Sequence, residues 1–572
     1  MSNPKQLTSS RLAELLAKAR ASQASIVTAQ HDELITEYIP APPAANSGVV
    51  QTVGMHGEVI TYNTQQQAFI DLALSGKSAV LLGAAGTGKS TVQRGVVSAL
   101  IAGNKVGLLA DDGHKHLPSG TPGIVICAYT RRAVNNIRKV MPADMRNNCI
   151  TIHKLLEYQP VYYEEYSEEL GKDVKTMRFE ATRNHMRPLN TGIHTVIFEE
   201  SSMIGTELFA EVVAALPHHV QYIFIGDIQQ LPPVFGSAVL GYKMLELPVV
   251  ELTEVYRQAL ESPIIRLAHR ILSGAPIPPE QLSEWEYPDK LKLHPWKKKL
   301  SVDLGVLTIA KFFSSAIDTG AYNHEEDMIL IPFNKSFGTD EVNKYIAQHL
   351  TAKSGAAVHE IVAGFNKHYY AVGDRVMYEK EDAVITGIAI NGTYVGTKYL
   401  EASPLLDRWG NYREATGTTG TVKHGHVEQT EADIDAMLDA MSFSSGDADE
   451  RKREASHTVT LRLQESEQEV TITSAAAINN LALGYAITVH KAQGSEARKV
   501  FVVIHQSHSS MIQRELLYTA VTRARESLYV ICEPDTFVRG IEKQKIKGNT
   551  LAEKAQFFMG KVERNEQQQK LN

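Results

Sequence analysis

The residues Gly83-Ala-Ala-Gly-Thr-Gly-Lys-Ser90 follow directly on the apolar run Ser78–Leu82 and lead into a helical pattern. Strand, glycine-rich turn and helix start, in that order, are the setting of a loop that binds phosphate. Gly83, Gly86 and Gly88 let backbone N–H groups crowd around anionic oxygens, and the helix N-terminus adds partial positive charge. In this pattern Lys89 reaches the β- and γ-phosphates of a nucleoside triphosphate and the Ser90 hydroxyl ligates Mg²⁺. Thr87 and Thr91 complete the nucleotide-binding set. Such a loop needs a carboxylate at the end of a neighbouring strand. The run Thr195-Val-Ile-Phe-Glu-Glu200 supplies two. Glu199 is expected to hold the Mg²⁺ water shell and Glu200 to polarise the attacking water. A third run, Tyr222–Ile225, ends in Gly-Asp and a proline-stiffened exit. The Gln230 amide at its tip can sense a γ-phosphate by hydrogen bonding. The chemistry these residues predict is hydrolysis of a nucleoside triphosphate.

Positioning these groups takes a parallel sheet. From Tyr62 to about Val255, β-prone runs alternate with helical patterns, which implies strands joined by crossover helices. Within this stretch, Tyr158 to Arg183 breaks the alternation with two β-prone segments around a turn at Gly171-Lys-Asp173, a projecting hairpin. A second parallel unit starts near Pro263, includes Met328–Pro332, and resumes at Ala486–Val489, Val500–Ile504 and Ser527–Ile531. Between its halves, short strand-like pieces at Asp374–Tyr378, Thr418–His424, Thr458–Leu463 and Glu469–Thr473 suggest a small β-barrel.

The expected organisation is an N-terminal extension (1–50) and a first domain over 51–255, with a hairpin insertion at 158–190. A second domain follows over 256–364 and 479–560, interrupted by an inserted barrel at 365–478, and 561–572 is expected to be a disordered tail. Leu7, Leu12, Leu15 and Leu16 give the extension an amphipathic helical pattern. Residues 431–454 are acidic and polar, the pattern of a loop or loose helix.

The 572 residues are 43% hydrophobic and 22% charged, the balance of a globular chain. Cys127, Cys149 and Cys532 lie far apart and form no CxxC pair, which argues against a disulfide framework or a structural zinc site. No apolar run reaches the roughly 20 residues that span a bilayer. The formal net charge is −7, so nucleic acid could be drawn only to a local groove.

These motifs, in this order from Tyr62 to Tyr529, resemble the superfamily 1B DNA helicases, and more narrowly their Dda-like and RecD-like branch. The resemblance implies two RecA-like P-loop domains. It makes Gln66, in YNTQQQA, an adenine-reading glutamine. Thr130 and Arg131 in AYTRRAV, with Thr151 and His153 in TIHKLL, become contacts to single-stranded DNA. In LTEVYRQ, Tyr256 would stack near the base and Arg257 would reach the γ-phosphate. In AITVHKAQGSE, Thr488 and His490 would face DNA, while Gly494 and Glu496 would face nucleotide. In LYTAVTRAR, Arg523 would enter the site as an arginine finger. One detail departs from the family: the first acid of the strand-end pair is usually aspartate and here is Glu199, which puts metal preference and turnover in question.

The resemblance further implies an ATP- and Mg²⁺-dependent motor of 5′→3′ polarity that acts as a monomer on single-stranded and forked DNA. Single-strand-binding or recombination proteins are candidate partners, and the setting would be the cytoplasm of a bacterium or phage-infected host. Two readings share most of these motifs: a translocase that strips protein without separating strands, and an RNA helicase of the same superfamily. A third, a nucleotide-switched binding platform, is disfavoured because Lys89, Glu200, Arg257 and Arg523 are all present.

Overall fold

In the computed structural model, residues 60–103, 123–167, 172–391, 399–400 and 454–571 are described, apart from a few short internal stretches. The 1–50 extension, the 431–454 segment up to residue 453 and the Thr418–His424 run lie outside the described residues.

Strands β1 (Ala79–Gly83), β2 (Gly123–Ala128), β3 (Cys149–Thr151), β6 (Ile193–Phe198), β7 (Gln221–Gly226) and β8 (Val249–Leu252) form one sheet in the order β3-β2-β6-β7-β1-β8. Every neighbouring pair runs parallel. Strands covered on both faces read as continuous apolar runs, and β1 and β2 are buried at every position. One apolar cluster, with Phe198, Phe224 and Val212, fills one side of this sheet, and another, with Phe69, Val96 and Ile137, fills the other. The remaining strands of this half, β4 (Tyr158–Ser167) and β5 (Lys172–Ala181), form a separate antiparallel hairpin. Its register pairs Ser167 with Lys172 and Tyr166 with Asp173. Lys172 and Asp173 therefore belong to the strand and not to the expected Gly171-Lys-Asp173 turn. Charged residues are tolerated on exposed edge strands, and both strands of a two-stranded hairpin are edges, so the polar pair gave a false turn signal.

The second parallel sheet begins with β9 (Leu291–Pro295) and β10 (Met328–Ile331). The chain then leaves it through a helix, Thr339–Ser354, ended by Gly355 in the left-handed region (φ +69°). The insertion holds β11 (Val358–Ala363), β12 (Asn366–Ala371), β13 (Arg375–Tyr378), β14 (Glu381–Ile390), β15 (Tyr399–Leu400), β16 (Glu454–Leu463), β17 (Glu469–Ser474) and β18 (Ala482–Leu483). They make two antiparallel sheets, β12-β11-β15 and β17-β16-β14-β13-β18, around one core containing Ile361, Tyr370, Ile385 and Leu461. The inserted strands thus begin before residue 365 and continue past 478. The main sheet is completed by β19 (Ala486–Thr488), β20 (Ala497–Ile504) and β21 (Ala524–Cys532), in the parallel order β19-β10-β20-β21-β9.

The C-terminal segment corrects another expectation. Residues Leu551–Leu571 form one helix, so the 561–572 stretch continues that helix through Leu571 instead of forming a disordered tail. Phe558, buried in the core of the first domain, anchors it against the helix Val239–Glu246. Lys561 extends over the Phe557 ring at 5.0 Å, and the residues that follow are good helix formers. Among the described residues, no helix is long and apolar enough to cross a membrane.

Candidate functional site

The phosphate loop lies between β1 and the helix Lys89–Ala102, and its glycines are sterically required. Gly86 and Gly88 have φ of +83° and +86°. A Cβ on Gly88 would stand 2.7 Å from Gln66 Nε2 and 2.8 Å from a Tyr256 ring carbon. One on Gly83 would stand 2.5 Å from Thr87 Oγ1. Thr87 is buried and donates its hydroxyl hydrogen to the Ala84 carbonyl at 2.9 Å. The Lys89 ammonium folds over the loop, donating to the carbonyls of Gly83 (2.7 Å) and Ala84 (3.2 Å). Ser90 is exposed at the helix start, with Thr91 half-buried behind it.

The acid pair follows β6, and the Glu199 N–H extends the ladder to the Cys127 carbonyl at 2.8 Å. Both residues are half-buried as a whole, yet one carboxylate oxygen of each is sealed from solvent with no hydrogen-bond partner. Burial, reinforced by the neighbouring Glu200 charge and opposed by Lys89, pushes the Glu199 carboxyl up to about 8. Glu200 sits in the left-handed region (φ +50°), a conformation that costs a non-glycine residue about 1–2 kcal/mol. Buried carboxylate oxygens without donors call for a cation, and a hard divalent ion with oxygen ligands fits them. Gln230 is buried in the loop that follows β7, with its Oε1 unpartnered.

Gln66 and Tyr256 meet beside Gly88. Gln66 closes a capping box with Asn63 at the start of the helix Thr64–Leu74. Its Oε1 accepts from the Tyr256 hydroxyl at 2.6 Å, while its Nε2 is buried and has no acceptor. The Tyr256 N–H donates to the Gly86 carbonyl at 3.2 Å, which ties this pair to the loop. Arg257 opens the short helix Arg257–Leu260; its side chain lies outside the described residues.

The second domain meets the loop through the helix Arg514–Val521. Tyr518, which sequence reasoning passed over, places its hydroxyl 2.7 Å from the Ala85 amide nitrogen and donates to Asp227 Oδ2 at 2.6 Å. The only signal for it in the sequence is its place within LYTAVTRAR. Arg523 is buried, donating to the Thr519 and Ser495 carbonyls and to Thr522 Oγ1. Its described hydrogen bonds therefore stay within its own domain.

The residues expected at the strand divide into two groups. Thr130 and Thr151 cap helices, accepting from the N–H groups of Ala133 and Lys154, each at 3.1 Å. Arg131 is half-exposed, 3.7 Å from Glu381 of the insert. The His153 ring meets Tyr129 and Tyr158 edge-on, with centroids 5.4 and 4.9 Å apart. Thr488, in contrast, is buried, and its hydroxyl accepts from the Lys491 N–H at 3.3 Å, so it does not present a surface to DNA. Thr488 ends β19, an edge strand of this sheet that is nevertheless buried at all of its positions. His490 is half-exposed as a residue but its Nδ1 is sealed, and burial, with Lys545 acting the same way, lowers its imidazole to about 4. Gly494 lies against the first domain, its carbonyl accepting from Asn136 Nδ2 at 2.9 Å. A Cβ there would stand 2.8 Å from Thr130 Oγ1. The expected nucleotide-facing pair is thus split, with Gly494 beside Thr130 at the domain seam and Glu496 exposed.

Residues 65–236 match the AAA domain family, and residues 483–531 match the UvrD-like helicase C-terminal domain family. The ATP-dependent RecD2 DNA helicase of Deinococcus radiodurans is 26% identical over 520 residues, covering 90% of this chain and 55% of its own. The RecBCD enzyme subunit RecD of Mycobacterium tuberculosis is 23% identical over 501 residues, 85% of this chain and 72% of its own. The ATP-dependent DNA helicase dda of Enterobacteria phage T4 is 27% identical over 197 residues, 34% of this chain and 37% of its own. The chain spans about half the length of the RecD2 relative.

Proposed function

We propose, from the premise that the chain belongs to the superfamily 1B helicases, that it is an ATP-dependent DNA helicase. In this reading it moves 5′→3′ along single-stranded DNA and separates duplex at a fork. The observation that carries the reading is the site at the seam. The phosphate loop, the buried acid pair and the Gln66–Tyr256 pair come from the first domain, while the helix bearing Tyr518 approaches the same loop from the second.

ATP is the substrate. Gln66 Nε2, buried without an acceptor, suits an adenine nitrogen, and Tyr256 provides a ring face. Lys89 would leave the loop carbonyls for the phosphates, a stronger, charge-assisted partner. Ser90 and Glu199 are the residues to hold Mg²⁺, which would neutralise phosphate charge. Glu200 orients and deprotonates the attacking water, and Gln230 hydrogen-bonds near the terminal phosphate. Arg257 and Arg523 stabilise the charge that develops as that phosphate departs. A triphosphate that satisfies groups of both domains favours the closed cleft, and its loss releases it. Thr130, Arg131, Thr151 and His153 grip the strand on the first domain, so alternating closure and release moves the chain along it. The β4–β5 hairpin is the candidate pin that parts the duplex. The motor acts as a monomer.

The test is unwinding of two forked substrates that differ only in tail polarity, with Lys89→Ala as the control. Unwinding from the 5′ tail alone, lost in the control, is expected. DNA-stimulated ATP hydrolysis without strand separation on either fork would make it a translocase instead.

A further inference from the structure

Ala85 sits in the middle of the phosphate loop, and its backbone is held at both ends from outside the first sheet. Its N–H donates to the Tyr518 hydroxyl at 2.7 Å, and its carbonyl lies 3.2 Å from His269 Nε2, on the helix Pro263–Leu272. That helix packs with the helix Arg514–Val521 in the core of the second domain. Peptide planes are rigid, so fixing the N–H and the carbonyl of Ala85 orients the two planes on either side of its Cα. Those planes carry part of the backbone that shapes a phosphate cradle.

Tyr518 can make this contact in only one way. A phenol has a single proton, which here goes to Asp227 Oδ2 at 2.6 Å, leaving a lone pair for the Ala85 amide. The ring is fully buried, and burial together with the Asp227 charge keeps the phenol protonated. Asp227 follows β7 and also accepts from the Gln229 N–H at 2.9 Å, at the start of the loop that carries Gln230. The second domain grips that loop again further on. Thr519 Oγ1 accepts from the Leu231 N–H at 3.0 Å, and Gln493 Nε2 donates to the Leu231 carbonyl at 2.9 Å. The Thr519 carbonyl, in turn, holds Arg523 Nε at 3.0 Å. One helix thus touches the phosphate loop, the Gln230 loop and the arginine together.

We propose that Tyr518 is a positioning residue that transmits the seating of the second domain to the phosphate loop. Its hydroxyl orients the Ala85 peptide only when the second domain is in place, so domain movement driven by the DNA strand sets whether the loop is shaped for hydrolysis. The inference rests on the ATP-driven motor reading and adds the group through which the strand controls the nucleotide site. The hydroxyl touches neither substrate nor reacting atoms and acts through Ala85 and Asp227.

The experiment compares ATP hydrolysis by the full chain and by Tyr518→Phe, with and without oligothymidylate, and follows melting of both. The phenylalanine ring fills the same space without the hydroxyl. The ratio of strand-stimulated to strand-free kcat is expected to fall about tenfold, the scale of one lost buried hydrogen bond, with KM for ATP held within about twofold. An unchanged ratio overturns the proposal. So does an equal fall of both rates, because the hydroxyl would then serve the loop irrespective of domain movement. If Tyr518→Phe does not fold, Asp227→Asn and Asp227→Ala decide the question. Asparagine keeps an oxygen acceptor for the hydroxyl and should retain more stimulation than alanine, and equal ratios in the two overturn the proposal. A wild-type chain that hydrolyses no ATP under either condition would instead remove the motor reading itself.

Discussion

Arg132 Nη2 lies 2.7 Å from Asp382 Oδ2, joining the helix Arg131–Val140 of the first domain to β14 of the insert. Both residues are buried, and the contact links all three bodies of the chain. The other guanidinium nitrogen of Arg132 donates to the Lys491 carbonyl of the second domain at 3.2 Å, and Arg375 on β13 approaches the same Asp382 oxygen at 3.4 Å. Arg375 also donates to the Asp327 carbonyl next to β10 at 2.9 Å. The insert is therefore tied by charge to the first domain beside Arg131, a residue proposed to grip the strand.

Removing the carboxylate leaves two buried guanidinium groups facing each other without their shared partner. Asp382→Ala is expected to cost about 3–5 kcal/mol, as for other buried pairs broken from one side. Chemical denaturation of wild type and variant checks this. A loss under about 1 kcal/mol, the range of an exposed pair, would show that the arginines find water instead.

The phosphate loop and acid pair were legible in the sequence because each is local: Gly86 and Gly88 announce positive φ, and Glu199 and Glu200 end a continuous apolar run. Contacts between distant residues were not legible. Tyr518 and Asp227 are 291 residues apart, and nothing in the run LYTAVTRAR distinguishes a tyrosine that packs from one that reaches the other domain. Thr488 misled for the opposite reason, since the motif around it gives the residue type but not which end of the strand is sealed. The C-terminal helix misled through composition. Its polar end reads as a tail until Phe558, buried in the core of the first domain, is seen to hold the first part in place.

Glu200→Gln tests the acid pair without changing its shape. If Glu200 takes the proton of the attacking water, kcat for ATP hydrolysis should fall by about 10²–10⁴ while ATP still binds. A fluorescent ATP analogue measures the binding and phosphate release measures the turnover. Loss of binding and turnover together would assign Glu200 to the structure of the loop instead.

Acid should destabilise the chain partly through His508. Burial lowers its imidazole to about 3 from the usual 6.5, with His505 acting in the same direction and the hydrogen bond to the Phe337 carbonyl opposing it. Its two nitrogens are committed, Nε2 to that carbonyl at 2.6 Å and Nδ1 to the His505 N–H at 3.1 Å. Below pH 6.5 the unfolded chain takes up a proton that the folded residue refuses. The stability is therefore fully present above that pH and is lost as pH falls towards 3. His508→Asn should be less stable than wild type at neutral pH by about 1–3 kcal/mol, from its lost hydrogen bonds. It should nevertheless lose less on acidification. Urea unfolding at neutral pH and at a pH midway through the window measures both, and parallel losses would exclude His508 as a source of acid sensitivity.

Phe558 fixes the C-terminal helix to the first domain after the chain has left the second. Its ring lies directly over Gly241, where a Cβ would come within 2.1 Å of it, and meets Tyr242 edge-on at 5.5 Å. Four residues earlier, the buried Lys554 ammonium donates to the Ile546 carbonyl at 3.2 Å, so the helix is pinned on two successive turns. Phe558→Ala should cost about 3–5 kcal/mol from the lost burial and the cavity left behind. Gly241→Ala should also destabilise, because the added methyl has no room unless the ring moves. In the double variant the smaller side chain at 558 vacates the space the methyl needs, so the two losses should add to less than their sum. Strict additivity in a double-mutant cycle would show that the two positions do not share this contact.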